Sequence, residues 1–433
     1  MTKEISIIKG SPMLLLAIPI SLISFFLVFV IRPFIHVRIG FLRSDRIGHF
    51  AANTELYLCE KDESINRSRV LDLFYFPRNP CNQQLAQMWK RELNILPWFF
   101  MRPMDLIIRR FDFLSSFKVD EARGHDRDID DLYDKYPTHL HFTDEEEIYG
   151  ESKLRDMGIP EGSQFVCLTV RDSAYLNEIY SGSSNAAYDD FRNCDIKNYI
   201  LAIEELTERG YFVIRMGAKV NFPLNSSNPK VIDYASNGMR SEFMDIYLGS
   251  KCVFCITNGT GFDAIPNVYR RPIALVDAVP FGINHQSWGN SPIVLSKHHI
   301  DISKNRELTM SEIFEQGAAY FKYSSDYESS GISLIGNSPE EIRDAILELT
   351  DRIEGVWKEM PEDKNLQQKF WDIFDTDKLN WKGNPWHGKV IKSRYSAKFL
   401  RSNKEWLNSK SVSYTHLRAH ETPEHLVCRL LLE

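Results

Sequence analysis

Four short, dominantly apolar runs lie between residues 164 and 278: "FVCLTV" (165–170), "YFVIRM" (211–216), "CVFCIT" (252–257) and "PIALVDA" (272–278). A strand with one wet face alternates apolar and polar residues; these runs do not, so strands formed here must be covered on both faces. The intervening segments supply the covers. "DIKNYILAIEELTERG" (195–210) puts Ile196, Tyr199, Ile200, Ile203 and Leu206 on one helical face, with Asp195 as N-cap and Gly210 as stop. "RSEFMDIYLGSK" (240–251) predicts a second helix, and "KVIDY" (230–234) a further strand. Strands alternating with helices at this spacing imply βαβ units around a parallel sheet.

A shorter version of the pattern precedes it. "VRIGFL" (37–42) and "RVLDLFYF" (69–76) predict strands, separated by an amphipathic segment over 50–59. Pro77 and Pro80 stop the second, and Leu85, Met88, Trp89 and Leu93 then recur at helical spacing. Farther on, "SPEEIRDAILELTDRIEG" (338–355) opens with a capping box, Ser338 to Glu341, and Pro339 at the first helical position. The expected fold is α/β, two Rossmann-like parallel-sheet domains behind an N-terminal transmembrane helix. The expected divisions are 1–35 (N-terminal segment), 36–150 (first domain), 151–355 (second domain) and 356–411 (helices packing back on the domains).

The anchor expectation rests on residues 13–31, "MLLLAIPISLISFFLVFVI", which carry no charge and at ~1.5 Å per residue would just cross a hydrocarbon core. The run exceeds a signal-peptide core and no small-x-small cleavage site follows, which favours the anchor over its alternatives, a signal peptide or a monotopic interfacial helix. Arg32, Arg38, Arg43 and Arg46 behind it, against Lys3 and Lys9 in front, place the larger part of the chain in the cytoplasm. At the other end, residues 412–433 match a conceptual translation of a sequencing adapter. His416, His420, His425 and Cys428 are therefore not read as a metal site.

The 52 Lys and Arg against 59 Asp and Glu, net −7, exclude the concentrated basic surface that nucleic acid requires. Seven irregularly spaced cysteines fit a reducing compartment, and Cys252-x-x-Cys255, read within one strand, would point to opposite faces.

The chemistry converges on "TNGTGFDAIPNVYRRP" (257–272), the connection between two of the apolar strands. In an open parallel sheet, ligands sit outside the carboxyl ends of the strands. Asn258, Gly259, Thr260 and Gly261 have that address, and glycines there permit close backbone approach to an anion. Pro266 shortens the helix that follows. Neither a Walker loop nor a G-x-G-x-x-G fingerprint is present. Arg171 and Arg215 end two strands at the same edge, where guanidinium forks would match diphosphate oxygens; the alternative is structural pairing with loop carboxylates. Asp172 and Gly217 flank them, and Glu242 and Asp263 offer contacts for ribose or sugar hydroxyls. His49, with Asp45 close by, is the candidate general base, since an imidazole titrates near neutral pH. Asp126-Arg127-Asp128 and Asp128-Ile129-Asp130 formally fit a metal-binding Asp-x-Asp, but the surrounding charge run reads as solvated surface.

The segments "CLTVRDSAYL", "DFRNCDIKNYILAI", "GYFVIRMGAKV", "NPKVIDYA" and "RSEFMDIYLGSKCVFCITNGTGFDAIPNVYRRPIALVD", with "RIGHFAANTELYL" early and "SRYSAKFLRSNKEWL" late, resemble a family of uncharacterised bacterial glycosyltransferases. The resemblance runs through nearly all of the chain between residues 31 and 412. It implies a GT-B-like enzyme whose second domain holds a nucleotide-sugar and whose first holds the acceptor. Metal-independent hexosyl or deoxyhexosyl transfer without a cofactor would follow, onto a cell-surface glycan or lipid-linked acceptor, at the cytoplasmic face of the bacterial inner membrane. A sugar-nucleotide epimerase of the same shape and a non-catalytic, membrane-tethered carbohydrate-binding protein remain the alternatives.

Overall fold

The computed structural model describes residues 12–63, 69–119, 127–174, 187–283, 290–375, 380–381, 384–385 and 392–408. The 412–433 tail and Asp126 lie outside them.

The first domain is built on two parallel strands, β1 (His36–Phe41) and β2 (Val70–Tyr75), in register Ile39 to Leu73. Single parallel bridges widen this pair on both sides, Ile39 to Lys118 and Phe74 to Ile95. Helix α2 (Ile47–Glu63) returns the chain from β1 to β2 and is buried from Phe50 to Cys59. Helix α3 (Gln83–Glu92) is started by Asn82, whose side chain accepts from the Leu85 amide, and buries Leu85, Met88 and Trp89 against α2. On the opposite face, α4 (Trp98–Arg110) buries Met101, Met104 and Ile108 over Ile39 and Tyr75.

Where the spanning anchor is expected, the chain forms helix α1 (Pro12–Ile31). It lies along α4, with Ser21 fully buried and its Oγ donating to the Phe100 carbonyl at 2.9 Å. Among the described residues, no helix is long and apolar enough to cross a membrane.

The second domain carries the larger sheet. Strands β3 (Phe165–Thr169), β4 (Phe212–Arg215), β5 (Val231–Ile232), β6 (Cys255–Thr257), β7 (Pro272–Ala278) and β8 (Asn290–Ser296) are all parallel. A small antiparallel sheet of β9 (His298–Asp301), β10 (Arg306–Glu307) and β11 (Ile332–Ile335) follows. A short hairpin, β12 (Asn380–Trp381) with β13 (Asn384–Pro385), precedes β14 (Arg394–Tyr395), which joins the main sheet beside β8. The main order is β14-β8-β7-β6-β3-β4-β5. The first strand is therefore internal: the chain winds outward from β3 in one direction and then restarts at β6 in the other.

Helix α5 (Asp144–Asp156), opened by a capping box from Thr143, runs across the expected division at residue 150. Phe142, Leu154, Met157 and Ile159 pack into the second domain's core, and Gly150 lies so close to Tyr247 that a Cβ would clash with its ring. The residues around the expected seam thus belong to the second half. Helix α6 (Ile200–Glu208) and α9 (Pro339–Ile353) cover one face of the main sheet, and α7 (Glu242–Lys251) with α5 the other. Cys252 caps α7 instead of starting the next strand, which begins at Cys255. Helices α10 (Asp363–Ile373) and α11 (Ala397–Ser402) bring Phe370, Phe399 and Leu400 into the same core, so the C-terminal helices pack on the second domain.

The seam between domains is bolted by Arg270, just past α8 (Ala264–Val268). Its guanidinium donates to the carbonyls of Tyr133, Tyr136 and Pro137 at 3.0, 2.9 and 3.0 Å, lies over the Tyr133 ring and pairs with the fully buried Glu55 at 2.8 Å. Removing one member of a buried ion pair strands the other, at about 3–5 kcal/mol. Arg270→Met is expected to lose about that much in urea denaturation, and adding Glu55→Gln is expected to recover part of it. Equal losses in the single and double variants would assign the stability to the carbonyl bonds alone.

A second buried ion cluster ties β9 to β10 and α9. His298 Nδ1 lies 2.7 Å from Glu307 and Nε2 3.2 Å from Glu341. Burial works against the imidazolium, but hydrogen bonds to the two carboxylates outweigh it and raise the His298 pKa from 6.5 to about 10. A pKa raised on folding stabilises fully below the unfolded value, and that contribution disappears as pH climbs through the folded one. The stability gap between wild type and His298→Gln is therefore expected to be widest below pH 6.5 and to close as pH approaches 10. A gap that stays constant across that range would show that the charge contributes nothing.

Candidate functional site

The sheet order places the site. Helices leave β3 and β6 toward opposite faces, so the carboxyl ends of these two neighbours diverge and leave a crevice. The crevice is bounded by residues 169–174 and 257–263, the latter being the glycine-rich connection singled out in the sequence.

The connection is closed by its own side chains. Asp263, fully buried, accepts from Thr257 Oγ1 at 3.0 Å and from the Thr260 amide at 2.9 Å. Gly259 sits at φ 87°, a conformation open to glycine at little cost. Gly261 provides the other close approach, because a Cβ on Gly48 of the first domain would stand 3.2 Å from its carbonyl oxygen. Two glycines therefore set the contact between domains at the crevice. As Pro266 requires, α8 behind them is only five residues long.

Asn258 is the organiser. Almost fully buried, it accepts from the Arg171 amide at 2.9 Å and donates to the Arg192 carbonyl at 2.9 Å and to Cys194 Sγ at 3.0 Å. Arg192 in turn donates to the Gly259 carbonyl, and Lys297, at the end of β8, donates to the carbonyls of Phe191 and Asn193 at 3.0 and 2.6 Å. The 190–195 segment is thereby strapped over the carboxyl edge of the sheet. Burial pushes the Cys194 thiol up to about 12, which removes it as a nucleophile.

The sequence-predicted residues divide into two groups. Arg171, Asn258, Gly259, Thr260 and Gly261 meet at the crevice, with Thr260 Oγ1 3.2 Å from Thr169 Oγ1. The others hold structure. Arg215 ends β4 at the same edge but is buried, donating to the Phe222 carbonyl at 2.6 Å and lying 3.5 Å from Asp233. Asp172 accepts from the amides of Ala174 and Asn221 at 2.9 and 2.8 Å, bracing that same loop, and Gly217 makes the close turn against Val220. Glu242 does not face the donor loop: it accepts from the Gln83 amide at 2.6 Å, and its carbonyl accepts from Asn82 at 2.8 Å, so it is an interdomain clasp at the start of α3. Asp263 is consumed within its own loop. Asp128 is not solvated: it is buried and caps the amides of Leu132 and Tyr133 at 2.8 and 2.9 Å.

Across the crevice, His49 lies in the first turn of α2, half-buried, with Nδ1 3.3 Å from Asn53 Oδ1, while Asp45 is exposed. A cavity beside them at the end of β1 is lined by Arg43, Asn53, Thr54, Tyr57 and Phe74. Among the described residues, the buried Asn53 Nδ2 has no hydrogen-bond partner. Among the described residues, the side chains that converge as metal ligands are Glu55, Cys59 and His139. The Arg270 guanidinium faces both Glu55 and Cys59, so the group already holds a cation.

No family model matches the chain, and no curated protein does. Among solved structures, a glycosyl transferase family 9 protein from Veillonella parvula aligns at a TM-score of 0.40 with 11% identity, over 73% of this chain and 98% of its own. The E. coli ADP-heptose lps heptosyltransferase II aligns at 0.33 with 12% identity, over 56% and 86%.

Arg192, Lys297 and the strap they hold carry no sequence signal, because they stand in polar connections without periodicity. Asn258→Ala is expected to leave the Arg171 amide and Arg192 carbonyl without their partner, at about 1–3 kcal/mol, and to expose residues 190–195 to protease. An unchanged cleavage pattern would show that Lys297 and Arg192 hold the strap without Asn258.

Proposed function

We propose that the chain is a glycosyltransferase that takes a nucleotide-sugar in the β3/β6 crevice and passes the sugar to a glycan or lipid-linked acceptor held by the first domain, without a metal or cofactor. The observation that carries this reading is the meeting of the two carboxyl edges: the Asn258 loop of one sheet abuts the Gly48 turn of the other, so a donor on one side faces an acceptor on the other. Departure of a nucleoside diphosphate develops negative charge on its leaving oxygen, and fixed cations and amides can stabilise it. Arg171 and Arg192 stand at that edge. His49 would accept the proton of the attacking hydroxyl, with Asn53 orienting its ring. Metal independence is supported by the Asp128 carboxylate, which caps a turn and is not open to a metal. We put the reaction at the cytoplasmic face of a bacterial inner membrane, a reading supported by Arg32, Arg38, Arg43 and Arg46 behind the apolar run.

Thermal melting of the full chain with a panel of nucleoside diphosphates tests the donor half. At least one base is expected to raise the melting temperature, and Arg171→Ala is expected to cut affinity about tenfold. Arg215→Ala, in contrast, is expected to lower the ligand-free melting point because it leaves Asp233 and the Phe222 carbonyl unmatched. No shift with any nucleotide would defeat the proposal.

A further inference from the structure

Thirteen of the 24 large hydrophobic side chains exposed among the described residues fall in two short stretches, residues 20–35 and 98–113. The two are neighbours, since α1 packs along α4. The inner stripe of α1 runs through Ser21, Phe25 and Val28. Phe25 meets the edge of Phe117 at 5.9 Å, in the turn that follows α4. The outer stripe, Ile20, Ile23, Leu27 and Val30, has the same helical spacing and is 53–63% exposed. A helix at a water boundary turns its polar residues outward. This one does the reverse, with serine against the protein and branched aliphatics outside.

The surrounding surface shares that character. Phe34 and Phe113 are 76% and 78% exposed, and Trp98 lies exposed at the start of α4. Residues 12–35 and 96–118 contain five Lys or Arg against two Asp, in a chain of net charge −7. One of those two, Asp105, is buried against Arg109 and Tyr75. Arg32 lies over the Phe117 ring and Arg110 over that of Phe111. Apolar and aromatic groups edged by arginines match the headgroup boundary of an anionic bilayer. A second copy would set like charge against like on a two-fold contact. A spanning arrangement would need lipid where the inner stripe meets α4.

We infer that this face is a lipid-docking surface: the outer stripe of α1 and the rings at 98–113 enter the headgroup boundary, while Arg32 and Arg110 meet lipid phosphates. The inference does not rest on the transferase reading. The test is co-sedimentation of the full chain with vesicles of phosphatidylcholine alone or mixed with phosphatidylglycerol, with nucleotide-induced melting shifts recorded on the same preparations. Binding is expected to be about tenfold tighter to the mixed vesicles and to weaken with salt. Phe113→Ser and Arg110→Glu are each expected to cost about tenfold in affinity with melting temperature unchanged, and Phe113→Trp to retain binding. Trp98 emission should shift to the blue on binding, and the shift should vanish in Trp98→Phe. Three results would overturn the inference: equal affinity for both vesicles with no effect of Arg110→Glu, failure to pellet with either, or a dimer in solution that Phe113→Ser dissolves. Loss of nucleotide shifts with vesicle binding intact would remove the transferase reading and leave this one standing.

Discussion

The molecule depends on a parallel sheet whose first strand lies inside it. Because β3 is flanked by β4 on one side and β6 on the other, its two neighbouring connections must leave in opposite directions, and the gap between them is filled by loops instead of helices. Loop backbone at a buried edge must find partners for its amides and carbonyls. Here Asn258 supplies them: one side chain joins the end of β3 to the 190–195 strap, and Lys297 fastens the far side of the strap. The crevice is thus preorganised by hydrogen bonds made before any ligand arrives, which is the condition under which fixed dipoles stabilise developing charge without reorganising.

At the same edge, two arginines at the ends of adjacent strands have different surroundings. Arg215 ends β4 beside a long connection that must be pinned, and its guanidinium turns down to the Phe222 carbonyl and Asp233. Arg171 lies two residues past the end of β3, at the switch point, where Asn258 holds its amide. Strand-end position was legible from the apolar runs. The direction of the Arg215 side chain was not, because it depends on which loop needs bracing, and that is a tertiary fact.

Elsewhere the boundary between legible and illegible follows the range of the interaction. The capping box Ser338–Glu341, the stop at Gly210, the short helix forced by Pro266 and the covered strands are consequences of residues within a few positions of one another, and all of them appear in the structure. Glu242 and Asp128 were misplaced for the opposite reason. Glu242 caps a helix more than 150 residues away in sequence, and Asp128 is buried in a charge run that composition marks as wet. Helix α5 is similar: its sequence is weakly patterned, and Gly150 against Tyr247, with Leu154 and Met157 in the same core, shows what it covers. In α1, the apolar run does not distinguish a helix surrounded by lipid from one packed on protein along one side; the buried Ser21 does.

Strand β1 connects the two surfaces that matter. Its first residue, His36, lies against the Phe117 ring with the planes tilted by 47°, and its last leads into the cavity lined by Arg43 and Asn53 and on to the Gly48 turn. Five steps of about 3.3 Å between its six residues separate the two ends by about 17 Å. The length of β1 thus sets how far the α1 face stands from the Gly48 turn, and the register of β1 on β2 fixes that separation.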